Sequence, residues 1–155
     1  MQENTCCFIG HRTINETEEL RTKLINMIEQ LITVENIGTF LFGSRSRFDS
    51  LCLEVVTQFK EKYFHIKRVY VRGEYPIISD EYRAYLLESY DDTYYPDKII
   101  GSGRAAYVER NFEMIEQSRI CVFYYDEKIK YSNSKSGTKI ALDQAVKKGK
   151  SVMIL

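Results

Sequence analysis

At 155 residues, with 44% apolar and 28% charged side chains, the chain has the size and balance of one ordinary globular domain with a core of its own. Basic and acidic residues number 22 each, so the formal net charge is zero. A diffuse electrostatic grip on nucleic acid or an anionic membrane is not implied. No run approaches the roughly 18 apolar residues of a membrane span. Met1-Gln2-Glu3-Asn4 lacks the basic-then-apolar form of a signal peptide, so a cytoplasmic protein is expected. The cysteines fit that compartment: Cys6, Cys7, Cys52 and Cys121 lie in apolar patterns and form neither a CxxC pair nor a metal-ligand spacing, which implies reduced, buried residues.

Thr5 to Ile9 is a short apolar run closed by Gly10 and reads as a central strand. Asn15 opens a helical stretch in which Leu20, Leu24, Met27, Ile28, Leu31 and Ile32 share one face, ended by Asn36 and Gly38. Thr39 to Phe42 is a second strand, stopped by Gly43. A second helix carries Phe48, Leu51, Cys52, Val55 and Phe59 in register. Arg68 to Val71 is a third strand, followed by Arg72-Gly73-Glu74. The segment from Tyr75 to Gly103 holds both prolines and many tyrosines; it reads as an ordered excursion with a short helix near Ser79 to Glu88. A helix from about Arg104 to Gln117 places Ala105, Val108, Phe112 and Ile115 on one side. Ile120 to Tyr125 is a fourth strand. A polar loop, Asp126 to Lys135, leads to Ser136-Gly137-Thr138 and a last helix with Ala141, Leu142, Ala145 and Val146, capped by Gly149. Val152 to Leu155 is a fifth strand.

Continuously apolar strands alternating with amphipathic helices predict a mainly parallel sheet of about five strands buried on both faces. Right-handed crossovers make this a doubly wound, Rossmann-like α/β domain over residues 1–155. In such sheets ligands bind outside the carboxyl ends of the strands. Those ends carry Gly10-His11-Arg12, Gly43-Ser44-Arg45 and Arg72-Gly73, so three junctions pair a glycine with a basic residue. Glycine lets backbone amides approach an anion, and the next helix N-terminus adds partial positive charge. Each junction alone is also an ordinary turn; their convergence on one sheet edge points to a phosphate. Ser136-Gly137-Thr138 has the small, hydroxyl-bearing character of a phosphate cradle, although Ser134 or Ser136 can equally serve as a helix cap. Asp49 is read as orienting Arg45 or as a solvated first-turn acid. His11 can touch a base or phosphate or act as a general acid/base, with no partner visible in sequence.

Four segments together resemble the SLOG superfamily, a Rossmann-like group that includes DprA and the LOG phosphoribohydrolases, and in particular its short bacterial members of uncharacterised function related to YpsA. They are Cys6-Cys7-Phe8-Ile9-Gly10-His11-Arg12, Phe42-Gly43-Ser44-Arg45 with Phe48-Asp49, Glu109-Arg110-Asn111-Phe112-Glu113-Met114, and Lys135-Ser136-Gly137-Thr138. The resemblance implies a nucleotide-type ligand, with Arg110 matching an arginine of the hydrolase branch. The glutamates that serve hydrolysis in that branch fall here on Ile140 and Ala141, which cannot move a proton. Glu113, Glu109, Glu74 and Asp143 are the carboxylates that could substitute.

The resulting expectation is a binding or sensing module for a phosphate-bearing nucleotide or nucleotide-derived small molecule, with no cofactor or metal, no membrane partner and a homodimeric assembly. The ligand residues are Gly10, His11, Arg12, Gly43, Ser44, Arg45, Arg110, Ser136, Gly137 and Thr138. The alternative is an N-glycosidase acting on nucleoside monophosphates. Single-stranded DNA binding, by analogy with DprA, is disfavoured by the neutral charge, because such channels are usually strongly basic. The tyrosine-rich segment reads as a lid, a dimer surface or local packing.

Overall fold

The computed structural model describes residues 2–128 and 136–155. Six strands form one sheet in the order β4-β3-β2-β1-β5-β6, and every neighbouring pair is parallel. The strands are β1 (Thr5–Gly10), β2 (Thr39–Phe42), β3 (Lys67–Val71), β4 (Asp92–Tyr94), β5 (Ile120–Tyr124) and β6 (Ser151–Ile154). The helices are α1 (Glu18–Thr33), α2 (Arg47–Lys60), α3 (Asp80–Leu86), α4 (Arg104–Glu116) and α5 (Gly137–Lys147).

Local chemistry starts most of these helices. Thr17, Ser46, Ser79 and Ser136 are N-caps whose side-chain oxygens accept the backbone N–H three residues on. The first helix therefore begins after Thr17 rather than at Asn15, with Glu18 and Glu19 adding charge that suits a helix N-terminus.

Two cores flank the sheet. On one side, Leu24, Ile28 and Leu31 of α1 and Leu51, Val55 and Val56 of α2 pack on Phe8, Phe40 and Phe42; Leu86 of α3 and Tyr90 extend that cluster. On the other side, Met114 and Ile115 of α4 and Ala141, Leu142 and Ala145 of α5 pack on Cys7, Ile9, Leu41, Cys121 and Phe123. Each of those large side chains gains roughly 1.5–3 kcal/mol on leaving water. Three helices on one face and two on the other make the sheet doubly wound. Strand order reverses between β1 and β5, which places a crevice at their carboxyl ends.

The sheet differs from expectation at both edges. Its sixth strand, β4, lies in the segment read as an excursion. It has three residues and one buried side chain, Thr93, so no apolar run announces it. Polar contacts hold it instead: Thr93 Oγ1 donates to the Tyr70 carbonyl at 2.8 Å, and Arg72 Nη1 donates to Thr93 Oγ1 at 3.1 Å. At the opposite edge, β6 is only partly covered, with Ile154 exposed. The buried face of α4 is also turned from the expected one. It consists of Ala106, Arg110, Met114 and Ile115, while Ala105 is exposed.

Candidate functional site

A cavity of about 860 Å³ opens at the carboxyl ends of β1 and β2, walled by α4 and the start of α5. That is within the usual range for small-ligand sites. Gly10, His11, Arg12, Gly43, Ser44, Arg45, Arg110, Ser136, Gly137 and Thr138 all line it. Lys135 and the rest of 129–135 lie outside the described residues.

Arg110 is the unusual group. Its residue is only 8% exposed, yet no carboxylate lies within ion-pair distance of it among the described residues. Nε and Nη2 donate to Asn111 Oδ1 at 3.3 and 3.2 Å, and the guanidinium sits 5.2 Å from the centre of the Tyr107 ring. Nη1 has no protein acceptor among the described residues. Burial lowers the guanidinium's pKa, and the charge of Asp49 opposes that shift. A desolvated cation without a bonded counter-charge is costly, and an anion in the cavity would remove that cost.

The strand-end glycines make room for side chains. A Cβ on Gly43 would lie 2.6 Å from Met114 Sδ and 2.8 Å from Arg110 Nε. One on Gly73 would meet Tyr107 and Arg110 at 3.2 and 3.3 Å. One on Gly10 would stand 2.4 Å from the Phe48 ring. Two of the three glycines thus admit Arg110 between the ends of β2 and β3. Among the described residues nothing lies within 4 Å of such a Cβ on Gly137.

Asp49 neither touches Arg45 nor faces solvent. It is buried, and its Oδ2 accepts the backbone N–H groups of Gly43 at 3.2 Å and Ser44 at 3.0 Å. These two amides, expected to meet a ligand anion, already hold a carboxylate of the chain itself. Burial raises the Asp49 pKa from 3.8 to about 6, against the opposing pull of those amides and of Arg110.

His11 is buried, and its Nε2 accepts the N–H of Asp126 at 3.0 Å, tying the loop after β1 to the loop after β5. Burial lowers its pKa, so the ring is neutral and its Nε2 lone pair is engaged. Arg12 is exposed, and its guanidinium makes no hydrogen bond or ion pair among the described residues. Arg45 donates to the hydroxyls of Tyr85 and Tyr82 at 3.3 and 3.4 Å and lies 5.0 Å from the centre of the Tyr85 ring. Ser136 caps α5 through Lys139 N–H at 3.0 Å, and Thr138 is a buried residue of the cavity lining. Arg72, at the end of β3, is turned away and donates to the Tyr75 and Pro76 carbonyls.

Of the four substitute carboxylates, Glu74 alone lines the cavity, accepting from the Tyr107 hydroxyl at 3.3 Å. Glu109 holds the Ile100 and Gly101 amides, Glu113 accepts from the Tyr94 hydroxyl, and Asp143 pairs with Lys139. Further lining residues went unread in the sequence: Arg104, Tyr107, Val108 and Asn111. Their spacing of three and four is one helical stripe, and that was the available signal.

Comparison with solved structures places this geometry in a known fold. DNA processing protein A from Helicobacter pylori, described for its single-stranded DNA binding mode, is similar with a TM-score of 0.62 at 16% identity. The match covers 99% of this chain and 65% of that one, so the chain spans less than two-thirds of its neighbour's length. No protein-family model and no curated protein matches the sequence. The neighbour overturns the expectation that nucleic acid is not a partner for this fold. That expectation rested on zero net charge, whereas Arg12, Arg45, Arg47, Arg104 and Arg110 gather around a cavity whose lining acids are Asp49 and Glu74.

Proposed function

We propose that the cavity at the ends of β1 and β2 binds one nucleotide unit through its phosphate, and that single-stranded DNA supplies that unit. The observation that carries the reading is Arg110: a buried guanidinium lining a cavity, with Nη1 unengaged and no ion-pair partner among the described residues. Arg12, which lines the cavity and has no hydrogen-bond or ion-pair partner among the described residues, supports the same occupant. Similarity of fold to a single-stranded DNA-binding protein favours that source over a free nucleotide. The resemblance of the Gly-His-Arg, Gly-Ser-Arg and Ser-Gly-Thr segments to YpsA-related SLOG members belongs to this reading as well.

A free nucleotide held as a signal is the second source, favoured by a cavity volume that suits one small molecule. Titrating the protein with a short oligothymidylate, nucleoside monophosphates and inorganic phosphate separates the two. Single-stranded DNA binding should be tightest, and Arg110→Met should weaken it by at least tenfold, the loss of one charge-assisted contact. Tight binding of a monophosphate alone would assign the signal reading, and release of free base from it would assign hydrolysis with Glu74 as the acid. Absence of binding by every phosphate-bearing probe would overturn the site.

A further inference from the structure

We propose that Tyr75, Tyr82 and Tyr85 form a ledge on which bases of single-stranded DNA stack, next to the nucleotide whose phosphate sits at Arg110. This rests on the nucleotide reading above and extends it along the strand. Of the seven residues of α3, Leu86 alone is buried, and Tyr82 packs partly against the same core. The helix also presents aromatic rings outward. Tyr82 and Tyr85 are nearly parallel, at 25° with centroids 6.2 Å apart, and Tyr75 stands edge-on to Tyr82 at 6.2 Å. Tyr75 and Tyr85 are each about half exposed.

Arg45 joins this ledge to the cavity. It lines the cavity, and its guanidinium donates to both phenol oxygens. A strand leaving Arg110 therefore passes a cation that is braced on two aromatic rings. Flat apolar rings next to a cation match a polymer of flat bases on an anionic backbone, and every base has a face that stacks. A lone small anion would gain nothing from rings outside the cavity; a base does.

The chain contains no tryptophan, so Tyr85→Trp provides a single reporter. Its fluorescence should be quenched by oligothymidylate and not by inorganic phosphate. Wild-type protein should bind a six-nucleotide oligothymidylate about tenfold more tightly than an abasic oligomer with the same phosphates, the size of one stacking contact. Tyr82→Ala with Tyr85→Ala should bring the two oligomers to equal affinity, whatever change the loss of Arg45's two hydroxyl acceptors makes to both; Tyr85→Phe should retain the preference. If the double variant kept the full preference while Arg110→Met still abolished binding, the ledge would be wrong and the cavity right. If the double variant altered only the oligomeric state of the free protein, the ledge would be a self-association surface and the proposal overturned. If wild-type protein bound neither oligomer, ledge and cavity readings would fall together.

Discussion

Asp49 and Arg110 face the same turn from opposite sides, and their charges answer to pH differently. Arg110 stays charged; Asp49 does not. Its carboxyl titrates at 3.8 by the ordinary value and at about 6 in the fold. Between those values the folded chain holds a proton that the unfolded chain has released. The stability Asp49 gains from that proton is complete below pH 3.8 and lost as pH rises through 6. Asp49→Asn keeps an oxygen for the Gly43 and Ser44 amides and never ionises. It should exceed wild type in stability at pH 7.5 by on the order of 2 kcal/mol. The gap should narrow to about half as the pH is lowered to 5 and close only below pH 3.8, as thermal melts of both proteins would register. His11 is common to both proteins, so its own titration cancels from the difference between them. The glycines give a second contrast. Gly10→Ala drives a Cβ into the Phe48 ring, whereas Gly43→Ala meets the mobile ends of Met114 and Arg110. The first should cost about 3 kcal/mol and the second about 1 kcal/mol. Only the second should weaken ligand binding out of proportion to its effect on stability, in parallel melts and titrations. The sequence marked these glycines as special, but it could not say what came close to them. It shows small residues at strand ends, while the side chains that need the room arrive from α2 and α4, far along the chain.

A helix start was legible where a cap and an apolar stripe coincided, as at Ser136 before Ala141 and Leu142. The strand β4 was not legible, and of α4 the bounds were but the buried face was not. β4 is held by Thr93 and Arg72 rather than by an apolar run, so strand patterning had nothing to find. In α4 the stripe Ala105, Val108, Phe112, Ile115 looked like the buried face because an arginine is not counted as apolar. The aliphatic stem of Arg110 takes a core position between Ala106 and Met114, as long basic side chains can. α5 offers the test at this scale. Ser136 fixes its start, and no described residue crowds Gly137, so Gly137→Val leaves the cap intact and adds methyl groups to the lining of the cavity. The unfolding free energy should stay within about 0.5 kcal/mol of wild type in melts, as for a surface substitution. Oligothymidylate affinity should fall at least tenfold. Unchanged affinity in a folded variant would move the ligand away from α5.

For the whole molecule, a net charge of zero and a cationic cavity describe one charge distribution at two distances. Beyond about 10 Å, roughly a Debye length in ordinary buffer, the positive and negative charges cancel and the chain exerts no long-range pull on a polyanion. Within the cavity a bound strand would meet Arg12, Arg45 and Arg110 at close range. Binding should then depend on salt as a few specific contacts do. Each phosphate neutralised on a single strand contributes about −0.7 to the slope of log affinity against log salt, so three contacts predict a slope of about −2. A protein coated in positive charge would give a much steeper line. Duplex DNA should bind far more weakly, since its paired bases cannot turn toward Tyr82 and Tyr85 and no diffuse field compensates. Anisotropy titrations of single- and double-stranded oligomers between about 30 and about 300 mM salt, a tenfold interval that resolves that slope, read both quantities. A shallow line for the single strand together with loss of duplex binding is what a locally cationic, globally neutral molecule requires. A line steeper than about −5 would mean that the strand is held across the surface rather than at the ends of β1 and β2.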